Sequence, residues 1–234
     1  MIKKLVLISA LALTSVVFTA CKTMDADCEC CKADAGWTVL FDGTSTDAFR
    51  GYKAEAYPGD KWKVEDGTLH VLPGKGTDLM TKEQYENFEL ELEWKTSPGG
   101  NSGVIYRVQE TAGPAWHTGP EMQVLDDTGH GDGKKPLTSA GALYAMIAPN
   151  AEKVLKPVGE FNSAKLIVNK NHVEHWLNGK KVVEYTWGSP EIAALIQQSK
   201  FKALPEFMKH NQGYIVFQHH GQEVWFRNIR IKKL

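Results

Sequence analysis

The segment around Glu121 carries polar side chains on a face that could do chemistry. In Glu121-Met122-Gln123-Val124 the side chains of a strand alternate, so Met122 and Val124 can be buried while Glu121 and Gln123 share the opposite face. A carboxyl beside an amide can bind a polar ligand, and a carboxyl can also transfer a proton. The alternative is that this face meets only bulk water.

Polar groups from other segments could converge on the same face. Arg107 lies in one apolar run, Gln218–His220 end a later run, and Arg227 follows in the last one. Long polar side chains on paired strands can meet, since paired strands lie about 5 Å apart. We expect a groove that gathers these groups beside Glu121 and Gln123. The structural alternative is an ion pair between Glu121 and Arg107, with Gln123 hydrogen-bonded beside it, and burial would offset much of the gain from that pair.

The elements that must position these groups are mostly strands. Short alternating runs broken by Gly, Pro, Asn and Asp continue from Gly36 to the end of the chain, which is typical of antiparallel strands. The clearest is Phe88–Lys95, whose apolar residues face a core and whose three Glu face solvent. The other predicted strands are Gly103–Gln109, Glu121–Leu125, Ala140–Ala145, Ser163–Asn169, His172–Leu177, Lys180–Thr186, Gly213–His219 and Val224–Lys232.

Turns and one helix complete the predicted architecture. Asn169-Lys170-Asn171 and Asn178-Gly179 are turn sequences that make residues 163–186 a meander. Ser189-Pro190-Glu191 offers an N-cap and a proline at the first helical position, which predicts a helix from Pro190 to about Ser199. The predicted fold class is therefore all-β, a sandwich with a short helix in one connection.

Composition limits the partners of this chain. It has 234 residues, a formal net charge of −1 and 42% hydrophobic residues. One globular domain with a sizeable core fits these values, and they give no electrostatic case for nucleic-acid binding. Aromatic residues make up 10% of the chain, which is compatible with a sugar-binding surface, although core packing explains most Trp and Tyr residues in any protein.

The N-terminus reads as a lipoprotein signal. Lys3 and Lys4 precede a short apolar run that ends in small residues before Cys21, so residues 1–20 are predicted to be a signal peptide and Cys21 the lipidation site. Residues 21–35 are polar and small and are predicted to form a disordered tether. The mature protein is expected in the cell envelope, at the outer membrane or periplasmic face, with the lipid anchor as its only membrane contact.

The remaining cysteines all fall in the tether. Cys28, Cys30 and Cys31 lack the paired spacing and the fourth ligand of a structural zinc site, so disulfides or mixed disulfides are favoured in an oxidising compartment. Residues 36–234, the predicted folded domain, contain no cysteine, and disulfides therefore cannot stabilise it.

Six ordered motifs resemble a known family. They are GWTVLFDG at 36–43, WKVEDGTL at 62–69, NSG at 101–103 before Tyr106-Arg107, Glu121-x-Gln123-x-x-Asp126, HWLNG at 175–179 and FRNI at 226–229. Together they resemble the 3-keto-disaccharide hydrolase family over residues 36–234. The resemblance implies a concanavalin-like jelly-roll β-sandwich and cleavage of glycosides whose C3 hydroxyl has been oxidised to a ketone. It also implies that Glu121 and Gln123 lie on the concave face.

Such a substrate changes what an enzyme must supply. The ketone acidifies the C2 hydrogen, so one base and one group that stabilises the enolate allow elimination at C1 followed by hydration. Ordinary glycoside hydrolysis requires two carboxylates, and the chain lacks the Glu-x-Asp-x-x-Glu or Glu-x-Asp-x-Glu strand of sandwich-fold glucanases. We therefore expect Glu121 or His220 to be the base, and Arg107 or a divalent cation to stabilise the enolate.

The remaining residues have predicted binding roles. The expected substrate-binding residues are Gln123, Asn101, Tyr106, His117, Gln218 and Arg227. A divalent metal ion of unspecified identity could be held by Glu121, Gln123 and His220, and no organic cofactor is expected. His117 could equally be a surface histidine, His130 and Asp132 lie in a loop that could line the groove, and His175 is expected to be structural.

Two rival functions remain open. The first is a non-catalytic carbohydrate-binding sandwich that uses Trp116, Tyr106, Trp187 and Trp225 as platforms. The second is a structural envelope lipoprotein that binds other proteins. Fold alone cannot decide, because the same sandwich hosts enzymes and binding modules.

Overall fold

The chain from residue 36 folds as two antiparallel sheets packed face to face. The computed structural model describes residues 35–111 and 113–234. The signal peptide, almost all of the tether and Cys21, Cys28, Cys30 and Cys31 lie outside the described residues. Gly36–Leu234 form one compact unit. No helix among the described residues is long and apolar enough to cross a membrane.

The described residues contain thirteen strands and one α-helix. In chain order they are β1 (Trp37–Phe41), β2 (Phe49–Gly51), β3 (Trp62–Glu65), β4 (Thr68–Val71), β5 (Leu79–Thr81), β6 (Phe88–Thr96), β7 (Asn101–Val108), β8 (Glu121–Leu125), β9 (Asn162–Asn169), β10 (His172–Leu177), β11 (Lys180–Thr186), α1 (Pro190–Gln198), β12 (Tyr214–Phe217) and β13 (Val224–Lys233). Short 3-10 turns lie at Ala115–His117, Gly131–Lys134, Pro136–Thr138 and Lys200–Ala203.

Two sheets form the layers of the sandwich. The eight-stranded sheet runs β11-β10-β9-β6-β13-β4-β3, with β1 paired to β13, and the five-stranded sheet runs β2-β5-β12-β7-β8. Apolar side chains from both inner faces fill the core, where Phe217 of β12 meets Phe226 of β13 edge to face at 5.2 Å between ring centroids. The predicted all-β sandwich is confirmed.

Local signals in the sequence account for the meander and the helix. β9, β10 and β11 pair in order through turns in which Lys170, Asn178 and Gly179 adopt positive φ. Ser189 caps α1, since its hydroxyl accepts a hydrogen bond from the backbone N–H of Ile192 at 3.3 Å. These predictions are confirmed to within a residue or two.

One predicted strand is wrong. Residues 140–145 form tight turns along the free edge of β8 instead of a strand. The backbone N–H of Gly141 donates to Gln123 O, that of Tyr144 donates to Glu121 O, and Leu143 makes an isolated bridge to Met122. These turns cover the edge of the five-stranded sheet and bring Tyr144 next to Glu121.

Candidate functional site

The outer face of the five-stranded sheet places Glu121 at the centre of a polar site. Met122 and Val124 pack into the core, so Glu121 and Gln123 point away from it, as the alternation predicts. Glu121 is 7% exposed. Its carboxyl lies over Gly103 of β7, which is paired directly with Gln123. A methyl group at Gly103 would overlap this carboxyl, so the glycine keeps the space that the acid occupies.

Burial sets the acidity of Glu121. The pKa of Glu121 is raised from the usual 4.5 to about 8, chiefly because the carboxyl is removed from water; the ammonium of Lys200 opposes this rise, and the negative charges of Asp78 and Asp132 add to it. Burial likewise raises the pKa of Asp78 to about 6, against the hydrogen bond that its carboxylate accepts from the backbone N–H of His219 at 2.8 Å. A carboxyl with a pKa near 8 can accept a proton close to neutral pH.

One side of the site is built around Lys200 and Tyr144, two residues that the sequence analysis missed. The ammonium of Lys200 lies 4.5 Å from the ring centroid of Tyr144 and 4.9 Å from that of Trp116. The Tyr144 hydroxyl donates to Asp132 Oδ2 at 3.2 Å. Lys200 is the first residue of the 3-10 turn that follows α1. The only feature of the sequence that pointed to this segment was a helical connection within an otherwise all-β chain.

The other side of the site holds two amide groups with free oxygens. Asn101 and Gln123 are 3% and 1% exposed, and neither Asn101 Oδ1 nor Gln123 Oε1 has a hydrogen-bond partner in the part of the chain that the structure describes. Their nitrogens are engaged, since Gln123 Nε2 donates to Thr138 O at 3.2 Å and Asn101 Nδ2 lies 3.4 Å from His130 Nε2. Two buried acceptors without donors are costly unless a ligand satisfies them.

The predicted histidines lie at different depths. His220 is exposed, contacts Gln222 Oε1 at 3.0 Å and faces the His130 ring at 6.2 Å between centroids. His219 is instead partly buried with its ring beside Trp62, and neither of its two buried ring nitrogens has a hydrogen-bond partner among the described residues. His220 therefore accompanies His130, and within the described part of the chain no hydrogen bond or ring contact joins it to Glu121.

Three further predicted residues have the following positions. His117 is half-buried in a 3-10 turn, edge-on to Trp116 at 4.3 Å. Gln218 follows β12, where its backbone N–H donates to Gly103 O and its carbonyl accepts from the Ser102 hydroxyl. His175 is fully buried in the core, where burial lowers its pKa to about 4, in keeping with its expected structural role.

The predicted placement of Arg107 and Tyr106 is wrong. β7 bulges against β12, so that Val108 pairs with Tyr214 and Ile105 with Val216, and Arg107 takes a φ of +53°. The bulge breaks the alternation on which the prediction rested.

Arg107 is consequently buried away from Glu121, and Tyr106 is buried in the core because it shares the core face of β7 with Val104. The Arg107 guanidinium donates to Glu86 O and Lys170 O and stacks on Trp187 at 4.5 Å. The Tyr106 hydroxyl bonds Tyr185 and His175 inside the core. An ion pair between Glu121 and Arg107, the structural alternative, is excluded by the same geometry.

Arg227 is also misplaced by the sequence analysis. It lies on the outer face of the eight-stranded sheet, where it pairs with Glu93 at 2.7 Å and stacks over Phe161 at 3.8 Å. Trp225 lies on this same face and stacks on His70, and Trp187 is buried with Arg107. Of the aromatic platforms considered for a binding module, Trp116 alone lies beside Glu121.

Within the described residues, one trio of acidic and histidine side chains brings its ligand atoms within 4.8 Å of one another. It consists of His172, Glu174 and Glu184, on β10 and β11. The ammonium of Lys181 bonds both glutamates, at 3.1 and 2.6 Å, so this trio is an ion-pair network. It lies on the sheet opposite Glu121 and shares no residue with the predicted metal ligands.

Known proteins that are similar to this chain identify its family. A model of the family described as 3-keto-alpha-glucoside-1,2-lyase-like domains matches residues 36–232. The chain belongs to this family. A curated relative from Bacteroides thetaiotaomicron, named 3-keto-disaccharide hydrolase, is 37% identical over 230 residues, which cover 85% of this chain and 79% of the relative. The family resemblance seen in the six motifs is confirmed.

Solved structures agree on the fold. A Parabacteroides distasonis crystal structure, provisionally named a glycosyl hydrolase, superposes with a TM-score of 0.79 at 35% identity and covers 87% of this chain and 95% of its own. A GH16 endo-beta-1,3(4)-glucanase superposes with a TM-score of 0.50 at 9% identity, over 84% of this chain and 91% of its own, and this likeness shows the jelly-roll fold alone.

Proposed function

We propose that this member of the 3-keto-alpha-glucoside-1,2-lyase-like family cleaves the glycosidic bond of 3-keto-glycosides by elimination followed by hydration. The observation that carries the proposal is the Glu121 carboxyl, which is buried over Gly103 and whose pKa burial raises to about 8. The names of the family and of the relative support the substrate class. Residue 123 is Gln, so no acid stands two residues from Glu121 as a partner for direct hydrolysis.

The proposed reaction has three steps. The Glu121 carboxylate takes the C2 proton, and the electron pair of that bond forms the C2–C3 double bond while the C3 oxygen becomes negative. The C3 carbonyl then re-forms, a C1–C2 double bond appears and the C1–O bond breaks, and the aglycone leaves as an alcohol with the proton that Glu121 took from C2. Water adds across C1–C2, giving the free 3-keto sugar and returning a proton to C2.

Lys200 is the residue that we assign to the developing enolate. Its ammonium acts electrostatically on Glu121 and lies beside Trp116 and Tyr144, so it can attract negative charge on a substrate seated there. This assignment replaces Arg107, which is buried on the other side of β7. Trp116 offers a face for sugar stacking.

A divalent cation is the alternative stabiliser. The two free amide oxygens, Asn101 Oδ1 and Gln123 Oε1, and the Glu121 carboxylate form a set of oxygen donors that suits a hard cation. A bound cation would supply Lewis-acid polarisation of the C3 carbonyl oxygen. Asn101 replaces His220 in this set, because His220 is exposed at His130.

The decisive experiment follows 3-keto-trehalose and a 3-keto-β-glucoside by proton NMR in deuterated water, with and without EDTA. We expect release of the aglycone with exchange of the C2 proton. Glu121→Gln should lower the rate by about 10²–10⁴-fold, since that is the usual contribution of a general base. Glu83→Gln, which removes an exposed carboxylate paired with Lys233, is the matched control and should retain the rate.

The other outcomes are equally informative. Release without C2 exchange would contradict elimination, and EDTA sensitivity would favour the cation over Lys200. Saturable binding of these sugars without turnover would favour the non-catalytic binding module, which Trp116 beside Glu121 could serve.

We also propose that the protein is anchored in the cell envelope through lipid on Cys21, which lies outside the described residues. Cys21→Ser should move the protein from the membrane fraction to the soluble fraction in cell fractionation. Unchanged membrane retention would contradict the anchor.

A further inference from the structure

A second groove lies on the face of the molecule opposite Glu121. It has a volume of about 700 Å³ and is lined chiefly by Glu91, Glu93, Ser163, Lys165, Trp176 and Arg230 on the outer face of the eight-stranded sheet. This volume falls within the range of about 300–1,000 Å³ typical of ligand pockets. The proposed reaction uses none of these residues.

The strand register explains how the groove forms. Arg230, Glu91, Lys165 and Trp176 are paired in sequence across β13, β6, β9 and β10, so their side chains form one transverse row. The next residue of β9 on the same face as Lys165 is the small, exposed Ser163. A row of long side chains beside a small one leaves a depression across the sheet.

Irregularities of the eight-stranded sheet concentrate at this groove. Its three register shifts among the described residues fall between Val39 and Phe41 in β1, between Arg227 and Arg230 in β13, and between His175 and Trp176 in β10. Each shift involves at least one residue that lines the groove. Bulges re-aim side chains and recur beside functional sites, so this coincidence indicates a shaped surface.

The aromatic wall of the groove is held in a fixed orientation. The indole Nε1 of Trp176 donates to Glu174 Oε2 at 2.7 Å, and the other oxygen of Glu174 contacts His172 at 2.9 Å and Lys181 at 3.1 Å. A Trp whose plane is fixed by such bonds loses little conformational entropy on binding a ligand.

Most charged side chains of the groove are paired, and the remaining acid, Asp42, accepts hydrogen bonds from the backbone N–H groups of Thr44 and Ser45. Glu91 pairs with Arg230 at 2.7 Å and with Lys165 at 3.0 Å, whereas Glu93 pairs with Arg227 at 2.7 Å and accepts from Asn228 Nδ2 at 3.1 Å. Oriented polar groups whose charges are already engaged by protein partners suit a neutral ligand with many hydroxyls, and the face of an indole suits a sugar ring. We propose that the second groove binds neutral oligosaccharides without cleaving them.

The test titrates the purified protein with cellotetraose and follows the indole N–H signals by proton–nitrogen NMR. Trp176→Ala and Trp225→Ala assign the two indole signals of this face by their loss. We expect the Trp176 signal to shift saturably and the Trp225 signal to stay in place, because Trp225 stacks on His70 outside the groove. The anionic tetragalacturonate should bind about tenfold more weakly.

A filling variant tests the groove without removing any side-chain contact of Trp176. Ser163→Tyr should weaken cellotetraose binding by about tenfold or more, since the added ring occupies the depression. Trp225→Ala is the matched control and should keep the affinity within about twofold. Cellotetraose shifts confined to Trp116, equal affinity in Ser163→Tyr, or tetragalacturonate binding as tight as that of cellotetraose would each overturn the proposal.

Discussion

At the scale of single residues, the site depends on how Glu121 and Lys200 act on each other. Burial raises the pKa of Glu121 to about 8, and the ammonium of Lys200 opposes that rise. Lys200 itself is exposed and lies against the rings of Tyr144 and Trp116. The ammonium of Lys200 favours the ionised form of Glu121 and also attracts the negative charge of the enolate. It would therefore assist both the abstraction of the C2 proton and the stabilisation of the enolate.

We therefore expect Lys200→Met to lower kcat by about 10- to 100-fold. In the pH profile of kcat/KM, the limb that rises with increasing pH should also shift to higher pH. The reason is that the ammonium of Lys200 no longer lowers the pKa of Glu121. Lys202→Met, an exposed lysine in the same 3-10 turn, is the control and should leave both quantities unchanged. A rate loss without any shift of the profile would argue against electrostatic coupling to Glu121.

At the scale of elements, the pairing of β7 with β8 supplies the space in which the carboxyl lies. Gly103 is opposite Gln123 and beneath the Glu121 carboxyl, so the two strands act as one unit. The bulge farther along β7 turns Arg107 into the interior and leaves Ile105 and Val108 on the outer face. Strand geometry therefore decides which polar groups reach the site.

Gly103→Ala should displace the Glu121 carboxyl, because the new methyl group would overlap it. We expect kcat/KM to fall by about 100-fold, with a loss of about 1–3 kcal/mol in the free energy of unfolding from overpacking. Ser102→Ala, at the adjacent residue, loses only a hydrogen bond to Gln218 O and should keep most of the activity. Steady-state kinetics and urea unfolding of both variants check this, and normal kcat/KM in Gly103→Ala would contradict it.

At the scale of the whole molecule, the two outer faces differ in how their charges are compensated. The acidic row of β6 is paired throughout with Lys165, Arg227 and Arg230, as befits a solvated face. Glu121 on the other sheet has no ion-pair partner within residues 35–111 and 113–234, and burial favours its neutral form. When a folded protein keeps a carboxyl protonated, its free energy of unfolding is lower at every pH at which the unfolded chain would ionise that carboxyl.

The sign of this effect gives a stability prediction. The unfolded carboxyl ionises near pH 4.5, whereas the folded one keeps its proton up to about pH 8, so stability falls as pH rises through that window. Glu121→Gln removes this loss and should raise the free energy of unfolding at pH 7 by about 3 kcal/mol, and by much less at pH 4. Urea unfolding at both pH values checks this. Lower stability of the variant at pH 7 would indicate a structural role for Glu121.

The sequence by itself determined most elements and the family. Alternation within β6, β8, β9 and β10 and the capping of α1 by Ser189 are local properties, since side chains one or a few residues apart decide them. The same alternation placed Glu121 and Gln123 together away from the core, and the ordered motifs identified the family.

Tertiary structure decided the acidity of Glu121 and the identity of its neighbours. Its pKa depends on desolvation by distant segments, and Lys200, Asp78 and Asp132 approach it from separate connections. The inward turn of Arg107 required the bulge against β12, which no periodicity within β7 reveals. Spacing along one strand thus fixes which side chains share a face, but only the packing of all strands fixes which charges meet there.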